Sequence, residues 1–355
     1  NTNVYNKDYS SYSLEDVCLE MSSLGKGDIR EPFIEVTYPN GSSTTDMVFD
    51  RAEIIQGKEE YDTLPGSYDD NGEVEQLVIY LKDRNYNLTL ELHYYVYEKC
   101  DIITRSAKLV NSGNESVRLE RLMSMQLDLN ESDYELSFFN GAWAREMNRS
   151  RIPIRAGKYV NESVTGTSSN RANPFFMIGR SSTTEDYGEC YGFNLIYSGN
   201  HYEAAQVNSY GKLRLVSGIN PATFSYIIEA GKCFEAPEAV LTYSYKGYNR
   251  MSHNMHEFVR KHIVRGSWRD KERPVLINSW EAAYFNINER KLVKLAKAAK
   301  DTGVELFVMD DGWFGERNDD TSSLGDWTPN SRKLPNGIAG IADKIKESGL
   351  KFGIW

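Results

Sequence analysis

The sequence has little of what marks redox-active, metal-dependent or membrane-embedded proteins. Its four cysteines, Cys18, Cys100, Cys190 and Cys233, are widely spaced and form no Cys-x-x-Cys pair. This spacing argues against a disulfide scaffold and against a zinc site, so free thiols in a reducing compartment are expected. No apolar run has the length needed to span a membrane, and no signal-like segment is recognisable. We therefore predict a cytoplasmic location.

Positive charge is also in deficit. Acidic residues number 51 against 41 basic residues, and the resulting net charge of −10 disfavours nucleic acids and anionic membranes as partners. The 355 residues exceed a typical single domain, so two domains with separate cores are expected. Aromatic residues, by contrast, are plentiful, with 23 tyrosines and 6 tryptophans. That composition suits both sheet faces and carbohydrate contact.

The first two thirds of the chain, to about Tyr248, follow a period of two residues. Residues 88–97 (LTLELHYYVY) and 102–109 (IITRSAKL) alternate between apolar and polar side chains, as half-buried strands do. Turn signals such as Asp-Asn-Gly at 70–72 separate the strands. This pattern predicts antiparallel sheets packed as a large sandwich. Residues 14–21 are ambiguous between helix and loop.

Residues 251–264 carry apolar side chains at helical spacing, which predicts a helix that joins two domains. His253, His256 and His262 lie on this helix. A metal site there is less favoured than a structural or surface role for these histidines.

The hydrophobic pattern of the sequence changes again after residue 274. Short apolar strands are predicted at 275–280, which is expected to be buried, and at 305–309 and 351–355. Helices are predicted between them, at 288–302 and from about 338 to 348. Strands and helices that alternate with short connections indicate parallel β-α-β units. Because three strands cannot close a barrel, we expect the chain to be part of a longer protein.

Chemistry-bearing residues follow the strands of this region. Asp310 and Asp311 come directly after the second strand, and Trp280 and Trp355 lie at the carboxyl ends of the first and the third. Ligands of parallel α/β folds gather outside the carboxyl ends of the strands, so these side chains are expected to converge. Both carboxylates reach one pocket only if the chain curls at Gly312. Paired carboxylates that accept hydroxyl hydrogen bonds, beside flat tryptophan faces, indicate a sugar site.

Two other interpretations of the aspartate pair stay open at this point. Asp-Asp-Gly is also an ordinary turn signal with solvated charges. A metal site that draws on Asp319 and Asp320 is less favoured, because the spacing does not match a calcium-binding loop and no histidine joins it.

Four stretches closely resemble the bacterial α-galactosidases of glycoside hydrolase family 36. They are RPVLINSWEAAYFN (273–286), LFVMDDGWFGERNDD (306–320), SLGDWTPNSRKLPNG (323–337) and KFGIW (351–355). Upstream stretches are similar too, among them EYDTLPGSY (60–68), YEKCDIITRS (97–106) and NGAWARE (140–146). The resemblance covers nearly the whole chain.

The resemblance implies an N-terminal all-β supersandwich over residues 1–247 and a linker helix over 248–272. Residues 273–355 would then begin a catalytic α/β (β/α)8 TIM barrel with its first three strands. For the whole protein, the resemblance also implies a small C-terminal β-domain. Homo-oligomers, commonly tetramers, are implied as well.

The implied activity is the retaining hydrolysis of terminal α-1,6-galactose from melibiose, raffinose or stachyose, without a metal or other cofactor. By resemblance Asp310 and Asp311 accept hydrogen bonds from galactose hydroxyls, and Trp280 and Trp143 contact the sugar. The family's nucleophile and acid/base aspartates lie beyond Trp355, so no residue here is assigned a catalytic role. The isolated chain is accordingly predicted to be inactive.

Two alternatives remain at the level of sequence. The sandwich could be a non-catalytic galactose-binding module with Trp143 as a stacking platform. The same fold could also act on α-N-acetylgalactosamine or transfer galactose instead of hydrolysing it.

Overall fold

The computed structural model describes residues 13–355, which divide into two compact units between Arg265 and Gly266. Within the described residues, the first unit contains sixteen strands, all paired in antiparallel fashion. They are β1 (Ile34–Thr37), β2 (Met47–Gln56), β3 (Glu75–Asp83), β4 (Leu88–Tyr97), β5 (Ile102–Asn111), β6 (Val117–Leu129), β7 (Glu135–Ala142), β8 (Arg145–Pro153), β9 (Gly157–Glu162), β10 (Ala172–Gly179), β11 (Cys190–Ile196), β12 (His201–Val207), β13 (Leu213–Ile219), β14 (Tyr226–Ile228), β15 (Cys233–Glu235) and β16 (Glu238–Ser244).

These strands form two sheets. The smaller has the order β1-β6-β13-β12-β9, with β14 also paired to β6. The larger has the order β2-β3-β4-β5-β16-β11-β10-β7-β8, with β15 paired to β5. Side chains of both sheets share a core, in which Leu90 of β4 and Leu109 of β5 cluster with Leu119 of β6 and Val216 of β13. The antiparallel, strand-rich organisation predicted from the two-residue period is confirmed.

Helix α1 (Gly247–Phe258) covers part of the larger sheet and continues into a single π-helical turn, Val259–Ile263. Phe258 clusters with Val240 of β16, and Met251 clusters with Met177 of β10. His253 and His256 are exposed, whereas Nδ1 of His262 lies 3.0 Å from the Tyr68 carbonyl oxygen. Among residues 13–355 no cluster of three or more histidine, cysteine or acidic side chains is arranged to hold a metal ion.

The ambiguous segment at residues 14–21 contains only a short 3₁₀ turn, Leu14–Asp16. What holds the chain there is a buried quartet of charges, Asp28, Arg30, Asp128 and Arg214, whose side chains are at most 2% exposed. Arg214 donates to Asp128 through Nε and Nη2, both at 2.7 Å. Arg30 also donates to the carbonyl groups of Leu14 and Val17. The quartet thus ties the start of the described chain to the smaller sheet.

A second buried polar network lies where β9 and β12 pair. Nδ1 of His201 is 3.0 Å from the Glu203 carboxylate, and Nε2 is 2.9 Å from the Ala172 carbonyl oxygen. Asn161 donates to the same carboxylate at 2.6 Å. Burial alone would lower the pKa of His201, but the hydrogen bond to Glu203 and its charge outweigh burial and raise that pKa. Burial raises the pKa of Glu203, and its hydrogen bonds offset this only in part.

The protein is therefore expected to become less stable as pH rises above about 6.5, the ordinary pKa of histidine. Both pKa values are higher in the folded state than in the unfolded state, so the folded protein holds the extra protons. The stabilisation from His201 is fully present below 6.5 and is lost as pH passes through the raised pKa. Urea unfolding at about pH 6 and pH 8 measures this change, for which we expect on the order of 1 kcal/mol.

His201→Gln should remove most of that pH dependence, while His253→Gln on the exposed face of α1 should leave it intact. An equal pH dependence in wild type and His201→Gln would contradict the assignment.

The second unit is a three-stranded parallel sheet, ordered β17-β18-β19, with helices between the strands. Its strands are β17 (Leu276–Asn278), β18 (Leu306–Met309) and β19 (Lys351–Ile354), and its helices are α2 (Trp280–Ala283), α3 (Glu289–Lys300) and α4 (Gly337–Glu347). Asn288 caps α3 by accepting a hydrogen bond from the Lys291 amide at 3.0 Å. The predicted parallel β-α-β pattern is confirmed. No helix among residues 13–355 is long and apolar enough to cross a membrane.

Two details of the first predicted strand are wrong. The strand ends at Asn278, because the Asn278 side chain accepts a hydrogen bond from the Trp280 amide at 2.7 Å and Trp280 begins α2. Leu276 and Ile277 are also exposed, not buried. Within residues 266–355 β17 is an edge strand with β18 on one side only, whereas Phe307 of β18 is covered by residues of α3 and α4.

Candidate functional site

Three groups of side chains meet at the carboxyl edge of the parallel sheet. The residues that follow the three strands are joined directly: the Ser279 amide donates to the Val308 carbonyl, and the Trp355 amide donates to the Met309 carbonyl, both at 3.0 Å. The Asp310 amide donates to Oγ of Ser279 at 3.1 Å. The predicted grouping of these segments at one edge is therefore present within the second unit.

Asp310 is the more accessible of the two adjacent carboxylates. It is partly buried, and its oxygens accept hydrogen bonds from the Asn278 side-chain amide and from the Asp311 amide, the latter at 2.7 Å. Asn278, at the end of β17, thus orients Asp310, at the end of β18. The remaining lone pairs of the carboxylate stay available to hydroxyl donors.

Asp311 has a different environment. The residue is only 7% exposed. Its carboxylate forms a bidentate ion pair with the Arg317 guanidinium. Nε of Arg317 lies 3.0 and 3.2 Å from the two carboxylate oxygens, and Nη2 lies 2.9 Å from Oδ2. The hydrogen bond to Asp311 raises the pKa of Arg317 despite burial. The two aspartates are therefore not equivalent, which their adjacency in sequence does not reveal.

Gly312 makes the curl at the end of β18 possible. Its φ of +94° is a conformation that side chains with a Cβ rarely adopt, and an added Cβ would lie 3.0 Å from the Cα of Phe285. The Gly312 amide also donates to the Asp311 carboxylate at 2.6 Å. The following residue, Trp313, is buried, and its indole donates to the Trp355 carbonyl at 3.1 Å.

Lys333 holds the loop that follows. Its Nζ donates to the carbonyl oxygens of Phe285, Gly312 and Arg317 at 3.0, 2.8 and 2.8 Å. Burial lowers the pKa of Lys333, while the charges of Glu316 and Asp311 act in the opposite direction. Sequence reasoning missed both Lys333 and Arg317. The available signal was their position in the quoted stretches 306–320 and 323–337, where they add positive charge close to the aspartates.

The tryptophans near this edge pack against different aromatic partners. Trp280 packs edge-on against Tyr284 and Phe285, with ring centroids 5.2 and 5.1 Å apart. Trp355 is half exposed and contacts Trp327, which is 55% exposed and was not predicted, at 6.0 Å between centroids. Both exposed rings also approach the buried ring of Phe314. Apolar faces therefore lie at the same edge as the carboxylates.

Trp143 belongs to the first unit. It lies at the turn between β7 and β8, and its side chain is 92% exposed. Its neighbour Ala144 has a positive φ of 57°, which closes the tight turn. Asp319, considered for a metal site, accepts two hydrogen bonds from Thr321 instead.

The family of the chain follows from two matches. Residues 1–229 match the family model described as glycosyl hydrolase family 36 N-terminal domain, and residues 233–355 match the model described as melibiase. The chain therefore belongs to glycosyl hydrolase family 36, as the motifs around the aspartate pair indicated.

Relatives within this family include proteins named as α-galactosidases. The chain is 43% identical over 346 residues to the α-galactosidase AgaA of Geobacillus stearothermophilus, a match that covers 97% of this chain and 48% of AgaA. The crystal structure of the α-galactosidase from Lactobacillus brevis aligns with a TM-score of 0.96 and 41% identity, over 100% of this chain and 48% of that one. An AgaA variant in complex with raffinose aligns with a TM-score of 0.96 and 42% identity, over 100% and 49%. The chain thus spans about half the length of these relatives.

Proposed function

We propose that this chain is part of a retaining α-galactosidase that removes terminal α-1,6-linked galactose from melibiose, raffinose or stachyose. The proposal is carried by the acceptor site at the carboxyl edge of the sheet, where Asp310, oriented by Asn278, lies beside Asp311, fixed by Arg317. Carboxylates accept hydrogen bonds only, so the site selects ligands rich in hydroxyl donors. The raffinose bound to the AgaA variant is such a ligand.

In this proposal Asp310 and Asp311 bind galactose hydroxyls, and Trp280 and Trp143 provide apolar faces for the sugar. Neither aspartate is the nucleophile. A retaining glycosidase needs two carboxyl groups about 5–5.5 Å apart, one on each side of the anomeric centre. Asp310 and Asp311 are instead adjacent residues that follow the single strand β18, where Asn278 and Arg317 orient their carboxylates. The nucleophile and the acid/base would come from outside these 355 residues, and the isolated chain would not hydrolyse galactosides.

Of the linker helix expected over 248–272, the structure forms only the part up to Ile263. The proposed organisation therefore assigns residues 1–247 to a β-supersandwich and 273–355 to the first strands of a (β/α)8 barrel. The parallel order of β17, β18 and β19 supports the last assignment, because barrels of this class place their ligands at the carboxyl edge. We further propose a cytoplasmic homo-oligomer that acts without a cofactor.

Hydrolysis by the full-length protein tests the function. The protein should release galactose from raffinose and from p-nitrophenyl α-galactoside, and NMR should first detect the α-anomer of galactose, the product of retention. Activity only on p-nitrophenyl α-N-acetylgalactosaminide, or the β-anomer as first product, would refute the proposal. Galactose binding without any turnover would favour a binding module instead.

A further inference from the structure

We propose that Arg317 is a positioning residue of the sugar site, which fixes the Asp311 carboxylate in the orientation that receives a galactose hydroxyl. This inference rests on the proposed function and assigns to Arg317 a role that the aspartate pair alone does not provide. Arg317 acts through Asp311 and not through contact with the sugar.

The contact between Arg317 and Asp311 fixes the geometry of the Asp311 carboxylate. A guanidinium that grips a carboxylate through two nitrogens fixes both the position and the plane of that carboxylate. Arg317 does this with three N···O distances between 2.9 and 3.2 Å. The Gly312 amide adds a further hydrogen bond to Oδ1 at 2.6 Å, so each oxygen of the Asp311 carboxylate faces two donors of the chain and its orientation is fixed.

Arg317 is itself held in place by several contacts. Nη1 donates to the Ser322 carbonyl at 2.8 Å, and the guanidinium lies 5.2 Å from the centroid of the Phe285 ring. The Arg317 carbonyl accepts from Lys333, which also binds Phe285 and Gly312. These contacts restrict the movement of the Arg317 side chain, and they therefore restrict the Asp311 carboxylate that it binds.

The charge of Arg317 also stabilises the aspartate pair. Two adjacent carboxylates repel each other, and a nearby cation offsets that repulsion most effectively away from water. Among residues 266–355, Arg317 is the cation in direct contact with the pair, and it is only 4% exposed. Lys333, another cation of this loop, directs its three hydrogen bonds to carbonyl groups. Because Arg317 is almost entirely buried, it is poorly placed to bind a sugar itself.

The test uses the full-length protein with Arg317→Gln, Arg317→Lys and the matched control Arg332→Gln, an exposed arginine of the same loop. Arg317→Gln should lower kcat/KM for p-nitrophenyl α-galactoside on the order of 100-fold, the cost of a misplaced binding group. Arg317→Lys keeps the positive charge but cannot bind the carboxylate through two nitrogens, so its kcat/KM should be intermediate. Arg332→Gln should match wild type.

A double-variant cycle separates positioning from general damage. If Arg317 acts through Asp311, Arg317→Gln should cause no further loss of kcat/KM in an Asp311→Asn background. Galactose affinity, measured by calorimetry, should fall in parallel with kcat/KM. Losses that multiply in the double variant would overturn the inference, as would wild-type activity in Arg317→Gln.

Folding is checked by circular dichroism and thermal melting. If Arg317→Gln does not fold, the double-variant cycle with Asp311→Asn is repeated with Arg317→Lys. Wild-type kcat/KM in a folded Arg317→Lys would overturn the inference. Failure of the proposed function looks different: the wild-type protein cleaves no α-galactoside, or Asp311→Asn leaves its activity unchanged. In either case the proposed role of Arg317 would be rejected together with the proposed function.

Discussion

Asp310→Asn in the full-length protein is expected to lower kcat/KM for p-nitrophenyl α-galactoside by about 10³-fold. The carboxylate offers only acceptors, and an asparagine would present an amide N–H₂ to hydroxyl groups or to the neighbouring Asn278 amide. It would also remove the charge that strengthens hydrogen bonds from the sugar. Steady-state kinetics and galactose calorimetry measure the effect.

The control for this prediction is Asp343→Asn, an exposed carboxylate on α4 whose nearest cation, Lys346, lies 3.9 Å away. It should retain wild-type kinetics. Wild-type kcat/KM in Asp310→Asn would remove Asp310 from the sugar site, and an equal loss in both variants would point to a general effect of charge.

Arg214→Met is expected to destabilise the protein by about 3–5 kcal/mol, because it leaves buried charges without their partner. Arg214 binds Asp128 through two nitrogens and Asp28 through a third contact of 2.8 Å. Methionine fills much of the volume but supplies no charge, so Arg30 would remain the only cation of the quartet. Urea unfolding measures the change in free energy.

Arg84→Met is the matched control, since Arg84 is an exposed arginine whose contact with Asp46 is 3.7 Å long. Its effect should stay within about 0.5 kcal/mol. Replacing Asp28, Asp128, Arg30 and Arg214 together with apolar residues should recover part of the loss. A change below about 1 kcal/mol in Arg214→Met would contradict our account of the buried quartet.

Much of the fold could be predicted from local sequence patterns. The alternation in residues 88–97 predicted a strand, which is β4, and helical spacing predicted α3 and α4. The aspartate pair could be placed at the carboxyl edge because parallel strands present their carboxyl ends at the same side of a sheet. These features depend on residues close in sequence, for which period and turn chemistry suffice.

The site was predictable only in part. Asp310 and Asp311 were singled out together, but their division into an accessible carboxylate and a nearly buried one was not. That division depends on Arg317, which reaches Asp311 across a loop without periodicity, and on Asn278 from another strand. The role of Trp143 in sugar contact, inferred from resemblance, stays a prediction.

The sequence by itself determined the strand or helix character of the segments with a clear hydrophobic period, the family, and the position of the aspartate pair at the end of a strand. Only the tertiary structure decided which charges meet. Asp28, Asp128 and Arg214 lie far apart in the chain and come together in one buried cluster. The reason is that a charged side chain carries no periodic signal of its partner. Its pairing is set by which distant backbones pack side by side, because a buried charge is tolerated only where an opposite charge reaches it.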